Sequence, residues 1–166
     1  MQTEWPTSGE IDIIEAINGM NNNQIALHAL PGCMKLDVSG QQTGNTIEKD
    51  CSTPKGCIVA ETKQNSFGAG FARAGGGVFA TQISASGVYV WFWGVSLSLN
   101  CRPVYLNVFQ QRPNVPDNIK NADSSSNMDT TPWGIPTAAY PAAGCDITKY
   151  FPPQNLVLLT SLCGVW

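Results

Sequence analysis

Apolar residues recur in short runs along this chain, and most runs alternate with polar positions at the period of two that belongs to a pleated strand. GEIDIIE (9–15), IALHAL (25–30), CIVAETK (57–63), VFATQIS (78–84), GVYVWFW (87–93) and NLVLLTSL (155–162) each read as one strand, the last as a buried one. Turn signals separate them: INGMNNNQ, Pro31-Gly32, the glycine-rich GAGFARAGGG and the long tract KNADSSSNMDTTPWGIPTAAYPAAG. Helical periodicity is sustained nowhere. The pattern predicts an all-β, antiparallel chain in which residues 39–56 form a surface loop that a Cys51–Cys57 bond can close on itself. Gly75-Gly76-Gly77 invites comparison with a phosphate loop, but no Lys-Ser/Thr follows and no strand-to-helix context surrounds it, so a hairpin-like connection is expected.

GEIDIIE breaks the strand pattern in one place. Glu10 and Asp12 fall on one face, whereas Glu15, an odd number of residues from both, should point the other way. In a regular strand the Cα atoms of Glu10 and Glu15 would stand roughly 16 Å apart. A β-bulge at Ile13-Ile14 corrects the phase and shortens the span, so that all three carboxylates share a face. Three of twelve acids in six positions between isoleucines is unlike an ordinary solvated face. Two carboxyl groups about 5 to 5.5 Å apart are the machinery of a retaining glycosidase, one attacking the sugar carbon and the other donating and recovering a proton.

Composition narrows the alternatives. The chain has 166 residues, 43% of them apolar, with sixteen glycines and eleven prolines, which suits a single β-rich domain. Nine scattered basic residues and a net charge of -3 give no patch for nucleic acid. No apolar run reaches the roughly 20 residues needed to span a bilayer, and the polar opening MQTEWPTSGE is no secretory signal. Six cysteines without a CxxC pair, beside one histidine, point to disulfides in an oxidising compartment and not to zinc; no metal ligand set is expected.

WPTSGEIDIIE resembles the bulged Glu-x-Asp-x-x-Glu signature of glycoside hydrolase family 16, in its laminarinase-like form. NQIALHALPGC, NSFGAGFARAGGGVFATQISASGVYVWFW, RPNVPDNI and CDITKYF…LTSLCG follow in the order of the family's fungal members, so the likeness covers nearly the whole chain. It implies a two-sheet β-sandwich, the concanavalin-like jelly roll, and retaining hydrolysis of β-1,3 and mixed-linkage glucans with no cofactor. On this likeness Glu10 matches the nucleophile, Asp12 the acid that hydrogen-bonds it, and Glu15 the general acid/base. Trp5 matches a tryptophan lining the sugar subsite, although alone it would read as a strand-end anchor, and His28 an active-site histidine, although alone it would read as a core residue. Of the alternating Trp91, Phe92 and Trp93, one set faces the core and the other is free for a cleft. The implied partner is β-glucan polysaccharide, the implied state a monomer, and the implied location extracellular or cell wall. A non-catalytic glucan-binding module and a wall transglycosylase are the alternatives on the same fold.

Two departures accompany the likeness. Residues 94–110, GVSLSLNCRPVYLNVFQ, have no family counterpart and read as an insertion, of the length and end composition of a retained intron translated in frame. The alternative is a genuine hairpin extension near the cleft. The insertion carries Cys101; of the five other cysteines, Cys145 and Cys163 flank the last loop and strand and are a plausible pair, and Cys33, Cys51 and Cys57 can supply one bond plus a partner for a cysteine outside this sequence. The chain also starts just before the strand with the acids and stops just after Cys163, so an incomplete sandwich is expected, one that is poorly folded or inactive alone.

Overall fold

A computed structural model of the chain describes residues 4–94 and 114–161. Among these residues seven strands form two antiparallel sheets. In the first, β1 (Glu10–Glu15), β2 (Gln24–His28), β4 (Cys57–Ala60) and the two-residue β3 (Asn45–Thr46) lie in the order β1-β2-β4-β3. In the second, β5 (Gly77–Ser84), β6 (Gly87–Gly94) and β7 (Ala138–Pro141) lie in chain order. This is the expected all-β sandwich, consistent with a jelly roll.

The period-2 pattern explains the layering. Ile25 and Leu27 of β2 and Val59 of β4 point inward and meet Val88 and Val90 of β6 and Ala138 and Tyr140 of β7, all essentially inaccessible to water. Each such valine, leucine or isoleucine contributes about 1.5–3 kcal/mol by leaving water. Ile11 and Ile13 of β1 pack against the margin of this core, so the first sheet turns its other face, with the acids, outward. A buried hydroxyl ties the layers: the Tyr140 O–H reaches the Ile25 carbonyl at 2.9 Å, with that of Cys57 at 3.2 Å.

Several local expectations change. GAGFAR, read as part of a turn signal, forms a short helix, α1 (Gly68–Arg73); six residues are too few to display a helical period. Its end is closed by Gly75 N–H to the Ala72 carbonyl (3.1 Å) and Gly76 N–H to the Phe71 carbonyl (2.8 Å). Phe71 packs near Phe79 and Phe92, which stack at 4.6 Å, so Phe92 shares the face of Val88 and Val90. Trp91 and Trp93 lie on the opposite face, each edge-on to Trp133. Two further short helices, α2 (Asp117–Lys120) and α3 (Ile147–Tyr150), and a 3-10 turn at Thr131–Trp133 escaped the same periodicity.

The strand β7 lies inside the tract read as loop; its alanines are weak strand formers and hold their place by pairing with β6. Conversely, residues 155–161 of the expected buried strand carry no ladder, and Leu158 is 93% exposed. Apolar composition signals a strand only where a second strand lies alongside, and none of the described strands does. Cys145 bonds to Cys33 and not to Cys163, which lies outside the described residues, while Cys51 and Cys57 do close their loop. A link of separation 112 has no local signature. The insertion expected at 94–110, apart from Gly94 at the end of β6, also lies outside the described residues.

Candidate functional site

The pairing of β1 with β2 decides which way each acid points. Glu10 stands opposite His28, Ile11 opposite Leu27 and Asp12 opposite Ala26; then the register shifts, and Glu15 stands opposite Gln24. Ile13 and Ile14 together face Ile25, which is a bulge. Since His28, Ala26 and Gln24 lie on one face of β2, their partners Glu10, Asp12 and Glu15 lie on that face too. The extra isoleucine is displaced outward, leaving Ile14 56% exposed, while Ile11 and Ile13 stay on the core side.

Two glycines admit the backbone to this arrangement. Gly9, with φ +65°, turns the chain into β1 where a Cβ would overlap the Phe151 ring and come within 2.6 Å of the Tyr150 carbonyl. Gly56, with φ +68°, lies against β2 where a Cβ would approach the Leu27 carbonyl at 2.5 Å and the His28 ring at 3.0 Å. A side chain at position 56 would displace His28.

All five residues singled out in the sequence meet here. The Trp5 indole N–H donates to Glu10 Oε2 at 2.7 Å, and its ring lies 5.4 Å from that of His28, with more than half of Trp5 open to solvent. His28 Nε2 stands 3.3 Å from Asp12 Oδ2. The resemblance implied a hydrogen bond between Asp12 and Glu10, but Asp12 is paired with His28 and Glu10 with Trp5. Only the Glu10 contact is a hydrogen bond, donated by the Trp5 N–H; Asp12 meets His28 at ion-pair distance. Two residues that the sequence reading passed over complete the site. Gln24 Nε2 donates to Glu15 Oε2 at 3.2 Å, and the buried Asn23 binds the bulge itself. Their only signal lay in the asparagine-rich turn before β2, and their partners emerge only from the register.

The electrostatics separate the acids by environment. Burial pushes the Glu15 carboxyl above the usual glutamate value, and the charges of Asp12 and Glu10 add to this; the Gln24 amide and His28 offset part of it. Burial pulls His28 down, but its contact with Asp12 and the charges of Asp12, Glu10 and Glu15 outweigh that, and the imidazole sits above 6.5. A raised histidine stabilises the fold fully below its unfolded value, and the contribution is lost as pH rises through the folded value. Thermal melts should therefore show the stability gap between the native chain and His28→Asn closing as pH rises above about 6.5; a gap independent of pH would refute the pairing.

Glu10, Asp12 and His28 present one ligand atom each within 4.8 Å of one another, a mixed oxygen and nitrogen set of a size that a divalent ion fits. Trp5 already binds one Glu10 oxygen, and Asp12 and His28 already face each other. No helix among the described residues is long and apolar enough to cross a membrane.

Known proteins resemble this chain in sequence and in fold. The profile of the XgeA-like catalytic GH16 domain matches residues 1–166. An endo-1,3(4)-beta-glucanase of Arthroderma benhamiae is 30% identical over 170 residues, covering 98% of this chain and 32% of its own length. Laminarinase 16A of Phanerochaete chrysosporium, solved with two β-glucans in its donor and acceptor sites, superposes with a TM-score of 0.70 at 31% identity, covering 90% of this chain and 45% of that one. An elongating GH family 16 beta-1,3-glucosyltransferase superposes with a TM-score of 0.69 at 30% identity, covering 92% and 44%. The chain spans about a third or less of the length of the curated relatives it matches.

Proposed function

The chain belongs to glycoside hydrolase family 16, and from that membership we propose that it cleaves internal β-1,3 and mixed β-1,3/1,4 linkages of β-glucan by retaining double displacement. The observation that carries this is the bulge, which sets Glu10, Asp12 and Glu15 on one face in place of two faces. Glu10 attacks the anomeric carbon; the Trp5 N–H anchors one of its oxygens, which fixes the carboxylate and leaves the other free for attack. Glu15 protonates the departing glycosidic oxygen, then as a carboxylate takes a proton from the water that releases the glycosyl group. Asp12, 3.3 Å from His28 Nε2, lies between them on the same strand face. The exposed Trp5 ring offers an apolar face to a sugar. The enzyme acts as a monomer, outside the cell or in the wall, on polysaccharide and not on nucleic acid.

Incubation with laminarin and with mixed-linkage glucan, followed by NMR of the first-formed reducing ends, tests this. The β-anomer is expected; the α-anomer would exclude a glycosyl-enzyme. The same assay decides the expectation that the chain is inactive alone, and binding without cleavage would favour the glucan-binding alternative. A second reading, transfer to a sugar acceptor in place of water, is favoured by the likeness to the elongating glucosyltransferase and gives lengthened products when an acceptor oligosaccharide is added.

Glu15 yields a further prediction. Replacing it by Gln should slow glucan cleavage by about 10²–10⁴, the usual worth of general acid catalysis. The acid must hold its proton, so native activity falls as pH rises through the raised Glu15 value, on the alkaline side of an ordinary glutamate. The pH profile of Glu15→Gln should lose that limb; a limb that persists would assign the proton to another group.

A further inference from the structure

A bulge removes ladder hydrogen bonds, and the groups it frees need other partners. In β1 those groups are the Ile13 carbonyl and the Glu15 N–H, and a single side chain answers both. Asn23 Oδ1 accepts from Glu15 N–H at 2.9 Å, and Asn23 Nδ2 donates to the Ile13 carbonyl at 2.9 Å. The chemistry of the two partners fixes the amide's orientation, since a carbonyl needs a donor and an N–H an acceptor. Asn23 is only 1% exposed, and its own backbone is held in turn: its N–H donates to the buried Ser66 hydroxyl at 2.9 Å, and its carbonyl accepts from Glu61 N–H at 2.9 Å. The clamp is therefore anchored to the segment that follows β4. Aspartate would answer only the N–H, glutamine is longer by one methylene, and alanine answers neither.

We propose that Asn23 is a positioning residue for proton donation: its carboxamide closes the bulge and thereby holds the Glu15 carboxyl on the face of Glu10 and Asp12, against Gln24. This rests on the glucanase reading above. Without the clamp β1 is free to relax toward regular pairing, and a slip of one residue turns Glu15 to the opposite face.

Asn23→Ala, and the milder Asn23→Ser should alanine not fold, are compared with the native protein on laminarin and on a dinitrophenyl β-laminaribioside. The dinitrophenolate leaves without a proton, so its burst reports attack by Glu10 alone. Loss of position should lower kcat on laminarin by about 10- to 100-fold, the scale of a misplacement near 1 Å, with KM little changed and the burst rate retained. Equal losses on both substrates, or no loss on either, would overturn the proposal. A native protein that leaves laminarin uncut would bear on the glucanase reading or on the expected inactivity of an incomplete sandwich and not on the clamp, and the positioning is then decided by carbon-13 titration of the Glu15 carboxyl. Its pKa should fall toward that of an exposed glutamate in the variant, as Glu15 leaves its buried place beside Asp12, Glu10 and His28. An unchanged titration would overturn the proposal.

Discussion

Glu10→Ala should lose glucan hydrolysis by about 10⁴-fold or more, since on the reading above it removes the group that forms the covalent intermediate. Azide should then restore turnover of an activated aryl glycoside, and the product's configuration identifies the residue replaced. With the nucleophile gone, azide enters the space left by the side chain and attacks the face that Glu10 attacked, so a β-glycoside gives the α-glycosyl azide. With Glu15 removed, the glycosyl-enzyme still forms from an activated substrate, and azide attacks from the other side to give the β-azide. The two variants are thus separated by a chiral readout that a folding defect cannot mimic. A β-azide from the Glu10 variant would exchange the two roles, and undiminished glucan hydrolysis by both variants would remove both residues from the chemistry. The Trp5 contact adds an internal control: Trp5→Phe keeps the ring but frees the Glu10 oxygen, and should reduce the rate far less than loss of Glu10 itself.

The acids were legible because their anomaly is written in the chain: one isoleucine too many for a regular strand. The bulge that this implied is the one in the structure, between Asp12 and Glu15. The clamp that holds it was not legible. Asn23 and Gln24 belong to INGMNNNQ, a stretch that reads as a turn and where polar residues are expected for reasons of turn chemistry; only the cross-strand register shows that Gln24 opens β2 against Glu15 and that Asn23 faces the bulge. The sandwich followed from alternation, as in β5 and β6, where eight pairs run from Gly77–Gly94 to Ser84–Gly87. Alternation failed in both directions where tertiary context decides. The small side chains of β7 hide a strand, and the leucines after Asn155 announce one that has no ladder. Each case separates the capacity of a segment to pair from the presence of a partner.

The same dependence on tertiary context governs the cysteines, and it leads to the largest expected effect on stability. Cys33 and Cys145 close a loop of separation 112, Cys51 and Cys57 one of separation 6. On the chain-entropy account the constraint on the unfolded state grows with the logarithm of the loop, so the long link is worth about 5 kcal/mol and the short one about 2 kcal/mol. Against a typical total of about 5–15 kcal/mol, the first loss brings a small domain to the edge of folding. The native surroundings add to the difference. Both links are buried, but beside the long one Met34 N–H donates to the Gly144 carbonyl at 2.8 Å, and α3 packs Ile147 and Tyr150 into the core, with the Tyr150 hydroxyl bonded to the Pro31 carbonyl. The bond thus joins the turn that ends β2, and so the strand carrying His28, to the turn after β7 in the opposite sheet. Urea unfolding of the doubly substituted Cys33→Ala/Cys145→Ala chain should show a loss more than twice that of Cys51→Ala/Cys57→Ala. Equal losses, or a greater one for the short loop, would place the long link's contribution elsewhere than in the unfolded chain. Peptide mapping without reductant decides the pairing itself: a linked pair of peptides bearing Cys33 and Cys145 is expected, and a Cys145–Cys163 pair would overturn it.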